Sequence, residues 1–212
     1  MKILAFDTSF AAVSACVRVD GQSRAWRHVV TSRGHAEILL PMVAEVLAEA
    51  AVAASEIDCV ATVRGPGHFT GLRAGIAAAQ GFAQASGACL VGFDAFAVVA
   101  AQRGALGDGE QRLIVFDSKR AEAFFQLDGQ APGAVKPADF APTGEAFLIG
   151  GDVAPAFVER LRTLGKAARV DPGASLPDAR TVALLAESTS TDTGPLMPLY
   201  IHPPATTVPK AQ

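Results

Sequence analysis

The sequence predicts an α/β protein made of two similar halves, and two patterns carry that prediction. Short apolar β runs and helical periods follow one another in the order βββαβαβα over residues 3–103. The string FDTS at residues 6–9 leads to an Asp-Gly pair at 20–21, and FDSK at residues 116–119 leads to a second Asp-Gly pair at 128–129. This echo indicates duplicated halves that each open with a hairpin, and chance similarity of two hairpins is the alternative.

The opening of the chain predicts a three-stranded antiparallel meander. Residues 3–7 form a short β run, and residues 13–19 alternate valine and alanine with other side chains. Asp20 and Gly21 suit the positive φ angles of a tight hairpin turn, so residues 23–30 are predicted to return as the third strand.

Helices and strands alternate after the meander. Apolar residues recur every four positions over residues 35–50, which predicts an amphipathic helix. Pro41 removes one helical hydrogen bond, so we expect a bend or a late start there. The patterns further along predict a strand at 58–63, a helix at 71–86, a strand at 89–91 and a helix at 94–103.

The second half carries weaker signals. The glycine-rich segment at 104–110 predicts a boundary between a domain of residues 1–104 and a reduced domain of residues 105–212. Repeated prolines predict an extended tail over residues 194–212, without helix or central strand. Besides its opening hairpin, this half is predicted to hold a strand at 147–149 and helices at 153–164 and 181–187.

Composition excludes some functional classes. Lys and Arg number 18 and Asp and Glu 21, a net charge of −3, so no overall positive field draws the protein to phosphate backbones. Half of the residues are apolar, which excludes an extended disordered chain outside the tail. Cys16, Cys59 and Cys89 stand singly in apolar runs, as core residues of a reducing compartment do. The apolar run before Asp7 is too short for a signal peptide, so a cytoplasmic location is expected.

Two acidic turns are candidates for binding a phosphate. Asp7, Thr8 and Ser9 place a carboxylate and two hydroxyls directly after a strand, and Asp117 and Ser118 form the partner turn in the second half. Such groups can face a magnesium-bound phosphate across a cleft, which makes ATP or ADP with Mg²⁺ the candidate cofactor. An ordinary Asx turn that closes each hairpin is the competing interpretation.

The sharpest local motif is the string RGPGHFTGLR at residues 64–73, between a strand and a helix. It lacks the Lys-Ser/Thr step of a Walker loop and the glycine spacing of a dinucleotide fingerprint. Thr70 can cap the following helix, and Gly71, Gly75 and Ala78 form a small-residue face that favours close approach of another helix. The motif residues singled out are Arg64, Gly65, Pro66, Gly67, Phe69, Thr70, Gly71 and Arg73.

Recognised metal and nucleophile motifs are missing from the sequence. The histidines His28, His35, His68 and His202 are scattered without HxxxH or HExxH spacing, and there is no GxSxG string. We interpret His35 as a first-turn or surface residue of its helix rather than a metal ligand.

Three strings together resemble the TsaB (YeaZ) family: ILAFDTS at residues 3–9, HAEILLPM at 35–42 and RGPGHFTGLRAG at 64–75. The resemblance implies the actin-like ATPase (ASKHA) fold, in which two RNase-H-like βββαβα halves are joined and the second half is reduced. It also implies an accessory, non-catalytic role in forming threonylcarbamoyladenosine on tRNA. Departures from the usual family pattern are His68, the DSKR turn at 117–120 and His202.

The resemblance implies an interface rather than an active site. In the family, two helices of the first half form a bundle with the catalytic subunit TsaD, and the same surface can form homodimers. The third subunit, TsaE, joins through that pair, and tRNA is met only indirectly. On this chain the implied interface residues are Ile38, Leu39, Met42, Val43, Val46, Leu47, Leu72, Gly75, Ile76 and Ala79. Since one face of each helix must cover its own sheet, the sequence leaves open which of them meet a partner.

Two other functions compete with the scaffold. An independent ATPase or phosphotransferase would use Asp7 and Asp117 around magnesium, but Gly150 and Gly151 are the only hint of an adenosine pocket in the short second half. A protease-like regulator would need a nucleophile or metal set that the sequence does not supply.

Overall fold

A computed structural model describes residues 1–102, 104–128, 130–189 and 192–202. The predicted helix end at Arg103, the predicted turn residue Gly129 and the predicted tail beyond residue 202 lie outside the described residues.

The first half is a five-stranded mixed sheet with two helices on one face. Its strands lie in the order β3-β2-β1-β4-β5, with β1, β4 and β5 parallel and the β1–β2–β3 meander antiparallel. The elements are β1 (Lys2–Asp7), β2 (Ala12–Val19), β3 (Gln22–Val30), α1 (His35–Glu49), β4 (Cys59–Gly65), α2 (Phe69–Ser86), β5 (Cys89–Asp94) and α3 (Ala95–Ala101), with a 3-10 turn at Ala54–Glu56.

The second half repeats this topology with one helix reduced. Its order is β10-β9-β6-β7-β8, the same arrangement, and a 3-10 turn at Pro137–Asp139 stands where α1 stands in the first half. The elements are β6 (Glu110–Asp117), β7 (Ala123–Leu127), β8 (Gly133–Val135), β9 (Ala146–Gly150), α4 (Ala154–Thr163), β10 (Ala167–Val170) and α5 (Ala179–Glu187). The short strands β8 and β10 were not predicted from the sequence.

Local sequence features account for several turns and helix ends of the first half. Asp20 and Gly21 adopt positive φ angles of 47° and 80°, which confirms the predicted hairpin turn. Helix α1 runs without interruption through Pro41, whose side chain is exposed. Helix α2 begins at Phe69 after His68, so the prediction that Thr70 caps it is wrong.

Helix α5 belongs to the second half in sequence but packs on the first sheet. The Ala179 N–H donates to Ser14 Oγ at 3.0 Å, and Arg18 makes a two-nitrogen ion pair with Glu187 at 2.8 and 3.0 Å. Helices α3 and α5 share one core with residues of both sheets, including Ala5 of β1 and Phe116 of β6. The two halves are therefore joined by a common apolar core.

Residues 192–202 form neither helix nor strand but are fastened to the first half. The Thr193 N–H donates to the Leu90 carbonyl at 2.9 Å, and the Leu199 N–H donates to the Arg64 carbonyl at 2.7 Å. Between them Leu196 is buried against Gly92. This segment covers the free edge of β5 and reaches the glycine-rich motif.

Candidate functional site

The turn after β1 is closed upon itself. Asp7 is fully buried, and its Oδ1 accepts the Ser9 N–H at 3.0 Å. Burial raises the pKa of Asp7 from 3.8 to about 7, although contacts with Ser9 and Thr8 act in the opposite direction. The carboxyl group is thus held in an environment that disfavours its charge.

The glycine-rich motif packs directly on this turn. The Thr8 hydroxyl donates to the Gly71 carbonyl at 2.7 Å. A Cβ at Gly71 would overlap the Thr8 carbonyl, one at Gly75 would overlap the Thr8 hydroxyl, and one at Gly67 would lie 2.6 Å from the Ser9 carbonyl. The small-residue face of α2 was predicted to admit another helix. Its close neighbour at Gly71 and Gly75 is instead the β1 turn.

His68 connects the acidic turns of the two halves. Its backbone N–H donates to the Ser9 carbonyl at 2.6 Å, and its ring Nε2 lies 3.1 Å from the Asp117 carbonyl. Desolvation is the main reason that the pKa of His68 is lowered, so the neutral ring donates to Asp117 through Nε2–H. The ring also meets Phe10 edge-on, with centroids 5.4 Å apart.

The second acidic turn is neutralised by its own lysine. Lys119, with a left-handed φ of 59°, donates to both Asp117 oxygens at 2.7 Å, through its backbone N–H and its ammonium group. Burial alone would raise the pKa of Asp117, but these bonds from Lys119 lower it overall. The Asp117 N–H donates to Asp152 Oδ1 at 2.9 Å, and burial raises the pKa of Asp152. The Ser118 hydroxyl donates to the Glu122 carbonyl and accepts the Arg120 N–H at 3.2 Å.

A cleft of about 270 Å³ lies between the glycine-rich motif and the second turn. Lys119 and Arg120 stand on one side, and Phe69 and Tyr200 on the other. Arg73 donates to the Tyr200 hydroxyl at 2.8 Å, and its guanidinium carbon lies 3.9 Å from the Phe69 ring centre. Sequence reasoning missed Lys119 and Tyr200 as parts of this cleft, because Tyr200 reaches it from a distant segment of the chain.

Both predicted turns contact the glycine-rich motif through His68, but each carboxyl group accepts hydrogen bonds from its own turn. Asp7 is buried, Thr8 and Ser9 are buried against the glycine-rich motif, and Asp117 is bound to Lys119. This arrangement does not fit a magnesium-bound phosphate held between Asp7 and Asp117. Of the other motif residues, Gly65 and Pro66 are buried, Arg64 is half-buried, and Phe69, Thr70 and Arg73 are exposed.

The helix residues implied as a partner interface lie mostly in the core of this chain. Ile38 is partly exposed, whereas Leu39, Met42, Val43, Val46, Leu47, Leu72, Gly75, Ile76 and Ala79 are buried. Most of them pack against Leu4, Phe6 and other apolar residues of the first sheet. The physical reason is that a helical apolar period marks the face that covers the helix's own sheet. These residues are therefore not available at the surface of the single chain.

The outer face of α1 and α2 carries mostly small side chains instead. We define the outer face by the exposed residues Leu40, Ala44 and Ala48 on α1 and Ala77, Gly81 and Ala85 on α2. Because successive members of each set are four positions apart, each set lies along one side of its helix. A surface of alanine and glycine lets another helix approach closely.

The described residues contain neither a set of metal ligands nor a membrane-spanning helix. In the described ranges, no three or more His, Cys, Asp or Glu side chains come together as a set of metal ligands. Nor does any helix in those ranges combine the length and hydropathy needed to span a membrane.

The chain is similar in sequence to several known proteins. Residues 29–131 match the family described as TsaD: tRNA N6-adenosine threonylcarbamoyltransferase. The chain is 31% identical over 125 residues to the tRNA threonylcarbamoyladenosine biosynthesis protein TsaB of Escherichia coli K12, covering 59% of this chain and 54% of that protein. It is 32% identical over 209 residues to the uncharacterized protein Rv3421c of Mycobacterium tuberculosis, covering 95% and 92%.

The chain is also similar to solved structures. YeaZ from Pseudomonas aeruginosa superimposes with a TM-score of 0.76 at 28% identity, covering 94% of this chain and 99% of that one. The (R)-2-hydroxyglutaryl-CoA dehydratase component A of Acidaminococcus fermentans, with a TM-score of 0.50 at 11% identity over 87% of this chain and 97% of that one, shares only the fold.

The doubled βββαβα topology, with α3 and α5 between two mixed sheets, is that of the actin-like ATPase (ASKHA) class, as predicted. Within this class, the chain belongs to the TsaB (YeaZ) family. The resemblance inferred from the sequence is thereby confirmed.

Proposed function

We propose that this chain is a non-catalytic scaffold subunit in the biosynthesis of tRNA threonylcarbamoyladenosine, where it binds a TsaD-type catalytic subunit. Relatives named for this pathway and the YeaZ fold support a role in that modification. The observation that carries the scaffold role is the outer face, a surface of small side chains on two helices whose opposite faces fill the core.

The chemistry of the outer face suits a helical partner. Leu40, half exposed at 54%, supplies an apolar anchor beside Ala44 and Ala48. Burial of such surface contributes roughly 25 cal/mol per Å² before the costs of association. The stretch that matches the TsaD family, residues 29–131, includes both helices, so a TsaD-type protein can present a matching pair of helices. The same face could instead pair two copies of this chain, and TsaE is expected to join only the assembled heterodimer.

The acidic turns support a non-catalytic role. The Asp7 carboxyl group is buried and accepts the Ser9 N–H, and the Asp117 carboxylate is bound to Lys119. An independent ATPase would need these carboxylates free to hold magnesium. If ATP or ADP binds this chain, its phosphates would lie against Lys119 and Arg120 at the cleft rim rather than at Asp7.

The test of the scaffold is co-purification with TsaD. Ala44→Arg on α1 and Ala77→Arg on α2 place a long charged side chain on the outer face without touching the core. We expect both variants to keep the circular dichroism spectrum of the parent and to lose the TsaD complex. Glu159→Arg is the matched control because Glu159 is an exposed residue of α4 in the second half. Retention of TsaD by both outer-face variants would refute the proposed docking surface.

The test of function is reconstitution of the tRNA modification. With TsaD and the other components supplied, omission of this chain should abolish or strongly reduce threonylcarbamoyladenosine formation. The outer-face variants should show the same loss, and Glu159→Arg should not. Calorimetry with ATP and Mg²⁺ on the isolated chain separates the competing function, because tight binding with turnover in the absence of TsaD would favour an independent ATPase.

A further inference from the structure

Two cysteines lie side by side in the first sheet. Strands β4 and β5 are parallel neighbours, and their register pairs Cys59 directly with Cys89. Adjacent strands are about 4.8 Å apart, so the two Cα atoms are separated by roughly that distance. Disulfides join Cα atoms about 4.4–6.8 Å apart, so the backbone already holds this pair within range.

Both side chains point to the same side of the sheet. Paired residues of neighbouring strands share a face, and Cys59 and Cys89 both contact the apolar core between the first sheet and α5. Burial, together with the neighbouring Cys89 thiol, raises the pKa of Cys59. The two cysteines therefore lie next to each other on one face of the sheet.

The pair has one accessible member. Cys59 is 1% exposed, whereas Cys89 is partly exposed at the start of β5. A reagent from solvent can reach Cys89 first, and Cys59 lies behind it as the resolving thiol.

The third cysteine is an internal control. Cys16 is fully buried on β2, and β1 lies between β2 and β4. Cys16 pairs with Ala5, which in turn pairs with Ala61, two residues further along β4 than Cys59. Cys16 is thus two strands away from Cys59 and displaced along the sheet, beyond disulfide reach.

We propose that Cys59 and Cys89 form a dithiol site that a peroxide oxidises reversibly to an intramolecular disulfide. The Cys89 sulfur attacks one peroxide oxygen, the O–O bond breaks, and a sulfenic acid and one water form. The Cys59 sulfur then attacks the Cys89 sulfur, an S–S bond forms, and the sulfenic oxygen leaves as a second water. Two thiol protons and two electrons are transferred in all, so hydrogen peroxide is reduced to two waters and the dithiol is oxidised.

The disulfide would join the two strands that flank the glycine-rich motif and α2. The glycine-rich motif and α2 both lie between Cys59 and Cys89 in the sequence. Oxidation would therefore covalently link the two ends of the segment that carries half of the outer face. Reduction by an excess of a dithiol reagent such as dithiothreitol would restore the open pair.

The experiment is oxidation of the folded full-length chain with hydrogen peroxide, followed by denaturation, alkylation with N-ethylmaleimide and tryptic mapping. Cleavage after Arg18, Arg64 and Arg73 puts the three cysteines on three separate peptides. We expect one crosslink between the Cys59 and Cys89 peptides, a mass lower by two hydrogens before alkylation, and full alkylation of Cys16. Dithiothreitol should remove the crosslink.

Three variants keep the result interpretable. Cys16→Ala should still form the crosslink, and Cys89→Ala and Cys59→Ala should each abolish it. Oxidation in concentrated guanidinium should scramble the pairing, which shows that the fold selects the partners. The proposal is overturned if the folded chain gives no Cys59–Cys89 crosslink under conditions that oxidise the guanidinium-unfolded chain, if Cys16 joins a disulfide, or if Cys89 forms only intermolecular dimers.

Discussion

Thr8 and Gly71 are joined by a 2.7 Å hydrogen bond from the threonine hydroxyl to the glycine carbonyl. The bond ties the turn after the first strand to the first turn of α2, and both partners are buried. The Thr8 hydroxyl, which was a candidate for binding a phosphate, instead donates to the first turn of α2. The turn lies so close to α2 that a Cβ at Gly71 or Gly75 would overlap Thr8, which is why glycine is needed at these positions.

Gly71→Ala should destabilise the folded chain. Its Cβ would overlap the Thr8 carbonyl, and relieving that overlap costs about 1–3 kcal/mol of the free energy of unfolding. Gly81→Ala is the matched control in the same helix, because a Cβ there meets nothing within 4 Å. It should raise stability by about 0.5–1 kcal/mol. Urea unfolding of both variants tests the pair, and equal effects would contradict the packing role of Gly71.

Two adjacent leucines of α1 should respond very differently to truncation. Leu39 is 1% exposed and Leu40 is 54% exposed. Leu39→Ala leaves a core cavity and should lower the free energy of unfolding by about 2–5 kcal/mol. Leu40→Ala should change it by less than about 0.5 kcal/mol and weaken only association with a partner. A large loss of monomer stability in Leu40→Ala would mean that the assignment of core and outer face is reversed.

The contrast between these leucines shows how far sequence reasoning reaches. The alternation of residues 13–19 and the four-residue period of residues 35–50 predicted β2 and α1 almost to their ends, since burial on one side imposes those periods. Val43 and Leu47 belong to the same apolar period. In a helix such a period indicates first of all the face that packs on the chain's own core, which is where both residues lie. An outer face made mostly of alanine and glycine has little hydrophobic contrast and gives no comparable signal.

Contacts between segments that are distant in the sequence could not be predicted from local patterns. Helix α5 was predicted, but its return to the first sheet depends on the Ser14 and Arg18 contacts, which no spacing in the sequence indicates. The short strands β8 and β10 lie at the two edges of the second sheet and are too brief to show alternation. The acidic turns were located correctly, but the bond between Asp117 and Lys119 follows from a left-handed Lys119 backbone.

The segment of residues 192–202 should contribute to the stability of the folded chain through a buried side chain, as a core element does. Leu196 is 5% exposed, and its neighbour Met197 is 74% exposed. Leu196→Ala should lower the free energy of unfolding by about 2–5 kcal/mol, because its side chain fills the space beside Gly92. Met197→Ala should change it by less than about 0.5 kcal/mol. Thermal or urea unfolding measures the stability of the two variants. Equal stabilities would contradict the docking of this segment on the first half.

Asp7 should make stability depend on pH in a direction opposite to most carboxylates. Its pKa is about 7 in the folded chain and 3.8 as the ordinary value, so the folded state holds a proton that the unfolded state releases. The stability from protonated Asp7 is complete below pH 3.8 and is lost as the pH rises to about 7. From the difference of about three pKa units, the loss is at most about 4 kcal/mol.

Asp7→Asn removes this titration while its amide oxygen can still accept the Ser9 N–H. Relative to the parent, the free energy of unfolding of Asp7→Asn should therefore rise between pH 4 and pH 7, because the parent alone must then bury a charge. Urea unfolding at several pH values measures this difference in the free energy of unfolding. The contributions of the other carboxylates are the same in both proteins and cancel in the difference. Glu159→Gln, at an exposed site on α4, should track the parent at every pH. Parallel pH profiles for Asp7→Asn and the parent would show that Asp7 titrates normally and that the turn is open to water.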